Sequence, residues 1–162
     1  MPSDATGMSM ELLYDRPGHL IRRAQQNAVS IFIEECGGLD LTPVQYAALV
    51  AVGSHPGLDA TRLSALVALD RSTIGNVLER LEGKGLIVRI NSPEDRRLKL
   101  LHITDAGMDV IGKAEPGVRR TQERLLAPLA PGDRERFIAL LTQIVELNND
   151  ASRVPQGMPP KR

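Results

Sequence analysis

Ser72, Thr73, Asn76 and Arg80 recur at helical spacing, and a charged stretch, Pro93-Glu94-Asp95-Arg96-Arg97, lies between two strand-like runs. Hydroxyl, amide and guanidinium groups on one helix face can hydrogen-bond to base edges in a major groove. Two adjacent guanidinium groups on a hairpin tip suit phosphates, or a narrow minor groove of high negative potential. Arg71 adds a phosphate ligand at the start of the same helix. Between Ala60 and Lys99 there are eight basic side chains against five acidic ones, although the whole chain sums to zero. Asp95 is expected to pair with a neighbouring arginine and hold the tip, because a floppy tip would lose more entropy on binding. Glu79 and Glu82 compete for Arg80 as partners in a surface pair.

A second polar set, His19, Arg22, Arg23 and Gln26, falls at i, i+3, i+4 and i+7. Guanidinium forks beside an imidazole suit a carboxylate on a small planar ring. The alternative is that this face makes intersubunit ion pairs or is solvated. Cys36, the one cysteine, cannot form an internal disulfide. It follows Glu34 and Glu35 near a helix C-terminus, where both effects disfavour thiolate, so it is expected to pack rather than react; a redox-sensing thiol is the alternative. His19, His55 and His102 lack ligand spacing, so no metal is expected. With no Gly-rich phosphate loop, nucleophile elbow or His-Glu metal pair, neither catalytic residues nor a cofactor are expected, and the chain does not read as an enzyme. Two Tyr, two Phe and no Trp offer little for stacking single-stranded nucleic acid.

The elements that must position these groups follow from periodicity. Leu20, Ala24, Ala28, Ile31 and Phe32 predict a long helix over about 16–36. Thr42-Pro43-Val44-Gln45 is a capping-box pattern opening a second. Asp59 and Asp70 can each cap a further helix, and in the latter Ile74, Val77, Leu78 and Leu81 form one apolar stripe opposite Ser72, Thr73, Asn76 and Arg80. Two short helices joined by a tight turn and followed by a hairpin describe a winged helix-turn-helix. The fold class is therefore mainly α with a small β-hairpin wing, a winged helix-turn-helix domain plus further helices on either side. The expected division is a disordered tail over 1–10, a first helix over 11–40, and the DNA-binding domain over 41–104. Within the last, the recognition helix spans about 71–84 and the wing about 86–103. C-terminal helices are expected over 105–150, with a kink at Pro116-Gly117 and a weak cap at Ala130, then a flexible tail over 151–162. At 162 residues, 42% apolar and 25% charged, the composition is globular. No run approaches a membrane span and no leader pattern is evident, so a cytoplasmic protein is expected.

The stretch "PEDRRLKLLHITDAG", Pro93 to Gly107, resembles the wing and following helix start of the MarR family of bacterial transcription regulators. Asp95, Arg97, Thr104 and Gly107 match that motif, with Ile103 in place of Leu, and "LTPVQYAAL" and "LERLEGKGLIVR" are also similar at the same relative places. The resemblance implies a homodimer on double-stranded DNA, with the first helix (11–40, also a pocket wall) and the C-terminal helices (105–150) as its helical dimerisation region and with Arg71, Ser72, Thr73, Asn76, Arg80, Asp95, Arg96 and Arg97 at the duplex. It implies an effector pocket between dimer region and winged domain, for which His19, Arg22, Arg23, Gln26 and Tyr46 are the candidates. "RPGHLIRRAQQ" with "EECGGLDLTPVQY" resembles the branch controlling aromatic-acid catabolism, implying a hydroxynicotinate-like acid or a CoA thioester as effector. A winged helix can also serve purely as a protein-interaction module, which would not need the arginine wing.

Overall fold

The computed structural model describes residues 9–157. Ser9 caps a short helix α1 (Met10–Tyr14), and the chain turns at Asp15 and Arg16 before Pro17 opens α2 (Pro17–Cys36) as its first residue. Of the tail expected over 1–10, residues 1–8 lie outside the described residues, and Met10 is already helical.

After a 3-10 turn at Gly37–Leu39, α3 (Pro43–Ser54) opens on a complete capping box. The Gln45 N–H donates to Thr42 Oγ1 at 3.2 Å while the Thr42 N–H donates to Gln45 Oε1 at 3.3 Å. Such a box satisfies two orphan donors, with a cap of this kind contributing about 1 kcal/mol. Asp59 caps α4 (Ala60–Val67) and Asp70 caps α5 (Arg71–Gly83). Between these helices Ala68 adopts φ 51°, a left-handed conformation in the three-residue link from Val67 to Arg71.

The wing is the antiparallel pair β1 (Ile87–Asn91) and β2 (Lys99–Ile103), in register from Ile87 opposite Ile103 to Asn91 opposite Lys99. Leu58 adds a single bridge to Leu101, with the Leu101 N–H donating to the Leu58 carbonyl at 2.7 Å, which ties the α3–α4 turn to the wing.

Helices α3, α4 and α5 close over the wing on a shared core. Leu49, Val52, Leu63, Ile74, Leu78, Leu81, Ile87 and Leu101 are all 2% exposed or less. The whole predicted stripe of α5, Ile74, Val77, Leu78 and Leu81, is buried, and each such side chain contributes about 1.5–3 kcal/mol on leaving water. That apolar face fixes the rotation of α5 and turns the polar face outward.

Helix α6 (Asp105–Leu126) runs from the wing to α2, unbroken through Pro116. Its first residues meet the winged unit tightly. Thr104 Oγ1 accepts from the Gly107 N–H at 3.1 Å and donates to the Gly85 carbonyl at 2.7 Å, and a Cβ on Gly107 would collide with the Leu86 carbonyl oxygen. The Thr and Gly of the wing motif are thus structural residues that dock α6 on the α5–β1 junction. Further along, a Cβ on Gly117 would lie 2.6 Å from the Glu35 carbonyl oxygen and 2.7 Å from Cys36 Sγ, so α2 and α6 cross in near-backbone contact. Arg120 and Arg124 embrace Glu35 there, at 2.6 and 2.7 Å, and Arg124 also reaches Glu34 at 2.9 Å. The hydrogen bonds from Arg120 and then Arg124 hold the Glu35 carboxyl below its ordinary pKa.

Helix α7 (Pro131–Leu147) has no buried residue and, as expected, opens on Ala130 without a side-chain cap. Phe137, Leu140, Ile144 and Val145 are 40–55% exposed, and Leu12, Leu20 and Ile21 on α1 and α2 are similarly open. Residues Arg153 to Gly157, within the tail expected over 151–162, run back to α4. Residues 158–162 of that expected tail lie outside the described residues.

Candidate nucleic-acid interface and effector site

Ser72, Asn76 and Arg80 are exposed and Thr73 is partly so, on the α5 face away from the buried stripe, while Arg71 is exposed at the first position of the same helix. Asp70 organises the first turn. One carboxylate oxygen accepts from the Thr73 N–H and the Ser72 hydroxyl, the other from the Thr73 hydroxyl, each at 2.9 Å. These bonds, led by those from Thr73, hold the Asp70 carboxyl down to about 2. With their protons directed to Asp70, the two hydroxyls turn acceptor lone pairs outward.

The wing tip is built differently from the sequence expectation for Asp95. Its side chain accepts from the backbone N–H of Arg97 at 2.9 Å, an Asx turn, and no ion pair joins it to an arginine among the described residues. A backbone acceptor is already within reach two residues on, whereas a guanidinium partner would cost rotamer entropy at an exposed tip. The Leu98 N–H closes the same turn on the Asp95 carbonyl at 2.9 Å, and buried Ser92 holds its base through the Leu98 carbonyl at 2.8 Å. Arg96 and Arg97 therefore project from a braced loop.

Cations of this region divide into two groups. Arg62 pairs with Asp59, Lys84 with Asp40 and Arg89 with Glu82. Arg71, Arg80, Arg96, Arg97 and Lys99 enter no ion pair among the described residues. Of the two acids expected to compete for Arg80, Glu82 is taken by Arg89 at 2.7 Å and Glu79 makes no ion pair among the described residues.

The second polar set is only partly brought together. Tyr14, His19, Leu20, Arg23, Ala24 and Asn27 line a concavity of about 480 Å³ along α1 and α2, a volume suited to a small ring. The Tyr14 and His19 rings stand 5.7 Å apart at 49°. Arg22 lies beside His19, its guanidinium 3.4 Å from Nδ1, and Gln26 is exposed outside the lining. Tyr46 sits elsewhere, its ring 6.0 Å from Phe32 and its hydroxyl donating to Glu115 at 3.4 Å. Burial, then the neighbouring Glu115 charge, pushes its phenol up. Sequence reasoning missed Tyr14 and Asn27. Asn27 was findable at i+4 from Arg23, but Tyr14 enters only because the break before Pro17 leaves its ring beside that of His19.

Cys36 is 2% exposed, its thiol directed at the Ala114 carbonyl 3.9 Å away and closed over by Gly117. Burial pushes the thiol pKa up, the reverse of what a reactive cysteine needs. Among the described residues no cluster of His, Cys, Asp and Glu could hold a metal ion, and no helix is long and apolar enough to cross a membrane.

Residues 39–98 match the family model described as MarR family. Over 134 residues the chain is 34% identical to the putative transcriptional regulatory protein for the hcr operon of Thauera aromatica, covering 82% of this chain and 81% of that one. The transcriptional repressor CouR bound to a 23-mer DNA duplex superposes with a TM-score of 0.77 at 30% identity, covering 86% of this chain and 99% of that one. BpsR of Bordetella bronchiseptica, whose DNA binding is regulated by 6-hydroxynicotinic acid, superposes at 0.75 with 28% identity, covering 80% and 93%.

Proposed function

The chain belongs to the MarR family of transcription regulators, a non-enzymatic family, and from that premise we propose that it is a homodimeric repressor released from duplex DNA by a small aromatic carboxylic acid. The observation that carries the DNA reading is the division of cations. On a surface where neighbouring cations are neutralised by acids, the four guanidinium groups of α5 and the wing tip keep their charge for an external anion. Arg97, helped by Arg96, enters the minor groove from the braced wing while α5 lies in the major groove. Ser72 and Thr73, as acceptors, suit the exocyclic amines of adenine or cytosine, and Asn76 and Arg80 read further edges. Arg71 holds a phosphate.

The exposed apolar faces of α1, α2 and α7 are covered by a second copy of the chain. A face this large and apolar marks an interface, and two-fold symmetry then sets two recognition helices about 34–36 Å apart on a pseudo-palindromic operator. Occupancy of a promoter by such a dimer blocks transcription. The effector sits against His19 and Arg23, its carboxylate on the guanidinium and its ring along Tyr14 and Leu20, with Arg22 reaching the acid from beside His19. By favouring a spacing of the recognition helices that does not fit the operator, the acid shifts the population off DNA. The relative regulated by 6-hydroxynicotinic acid supports that ligand class.

Binding of the purified protein to its own upstream DNA at fixed salt, titrated with aromatic acids including 6-hydroxynicotinate, tests both halves. One preferred site, weakened by about 1–3 kcal/mol in Asn76→Ala and with a lower salt slope in Arg97→Ala, is the expected result. Release by an acid in wild type but not in Arg23→Ala supports the pocket. Equal affinity for random duplex removes the repressor reading.

A further inference from the structure

An α-helix leaves its last carbonyl groups without partners inside the helix. At the end of α4 the Ser64 carbonyl is met locally, by the N–H groups of Ala68 and, at 3.1 Å, Leu69. The next two are met from the far end of the chain. The Gly157 N–H donates to the Ala65 carbonyl at 2.8 Å, and the Gln156 side-chain amide donates to the Leu66 carbonyl at 3.1 Å. These donors are themselves clamped. Asn149, in the 3-10 turn directly after α7, accepts from the Gln156 N–H at 2.9 Å and donates back to the Gln156 carbonyl at 3.2 Å. Gly157 lies so close that a Cβ there would stand 3.0 Å from Ala65 Cβ.

We propose that residues Asn149 to Gly157 are a strap that positions the recognition helix, with Gln156 and Gly157 as positioning residues acting through α4. The proposal rests on the reading of α5 as the helix that enters DNA. The capped end of α4 leads at once into the turn that aims α5. In that turn Ala68 takes its left-handed conformation, the Ser64 hydroxyl donates to the Leu69 carbonyl and Asp70 caps the next helix. Holding the Ala65 and Leu66 carbonyls restricts this turn, and less disorder remains to be lost when α5 docks. The strap starts at α7, so it also joins an element of the proposed dimer frame directly to the helix-turn-helix, by a route separate from the α2–α6 crossing. A strain imposed on the frame by an effector would reach α5 through it.

The test uses the full chain, a form lacking residues 158–162, a form lacking 153–162, and Gln156→Ala. Amide hydrogen exchange of Ala68 to Thr73 is read without DNA, then affinity for operator and random duplex at several salt concentrations. Loss of two satisfied hydrogen bonds should speed exchange in this turn about tenfold in the 153–162 deletion, and by less in Gln156→Ala. Operator affinity should fall more than random-duplex affinity, with an unchanged salt slope. The 158–162 deletion should match the full chain in exchange. Unchanged exchange in both the longer deletion and Gln156→Ala would overturn the strap. So would a loss of affinity already complete in the 158–162 deletion with a lower salt slope, because the segment would then act by the charge of Lys161 and Arg162. Faster exchange in a protein that prefers no duplex would uphold the clamp on the turn while removing the DNA reading on its own.

Discussion

Helices α3, α4, α5 and α6 each begin on a Thr or Asp side chain that accepts a backbone N–H, whereas α2 and α7 begin on Arg16 and Ala130 with no such bond. Burial differs most between the winged unit and α7, with α2 between them, since it buries Phe32 and Cys36 towards its C-terminal end. The winged unit encloses side chains such as Leu49, Leu63 and Leu81 at 0% exposure, while α7 buries nothing and leaves Leu147 77% exposed. One region is specified locally, by caps, stripes and turns that agree with each other. Helix α7 has apolar patterning and weak local punctuation, which fits the proposed association of two copies.

The sharpest way to break this comparison is to charge the open face. Leu141→Glu with Ile144→Glu should halve the mass in sedimentation and lower operator affinity about 100-fold or more, because two linked half-site contacts become one. A winged unit that still melts cooperatively in this variant would sharpen the contrast; an unchanged mass would end it. Next in size is Gly107→Ala, which forces a methyl into the Leu86 carbonyl where α6 docks. A loss of about 1–3 kcal/mol in urea unfolding is expected, at the upper end since the obstacle is backbone. Gly112→Ala, with open space around it, serves as the control.

Ala130→Asp supplies the missing cap of α7 and should add about 1 kcal/mol. No gain would mean that association already fixes this end. The smallest effect concerns Asp70. Its carboxyl is held from an ordinary 3.8 down to about 2, so its ionised form contributes stability above pH 3.8 that is lost as pH falls through about 2. The difference in thermal midpoint between wild type and Asp70→Asn should be constant at neutral pH and shrink across that acid window. A difference that grew on acidification would show that another group dominates.

Much of the winged unit was legible because its signals are short-range. The Thr42 box, the Asp59 and Asp70 caps and the α5 stripe all appear as anticipated, and with the stripe inside, the outward position of Ser72, Asn76 and Arg80 follows from helical period alone. The effector set was legible only as a helix face. Periodicity placed His19, Arg22, Arg23 and Gln26 together, but whether each lines a concavity depends on where Tyr14 at the end of α1 meets α2, and Gln26 falls outside it. Asp95 was read as an ion-pair partner because sequence shows its charge and not its nearest donor, the Arg97 N–H.

By itself the sequence determined the family, the order of elements and the identity of the helix that faces out, since caps, breaks and apolar spacing act within a few residues and leave a direct trace. The tertiary structure alone decided the relations between distant segments. It set Glu35 between Arg120 and Arg124, Gly117 against Cys36, and Gln156 and Gly157 on the open end of α4. Such contacts join residues some eighty to ninety positions apart. A carbonyl left open at a helix end looks the same in sequence whichever donor meets it, so only the path of the folded chain selects the partner.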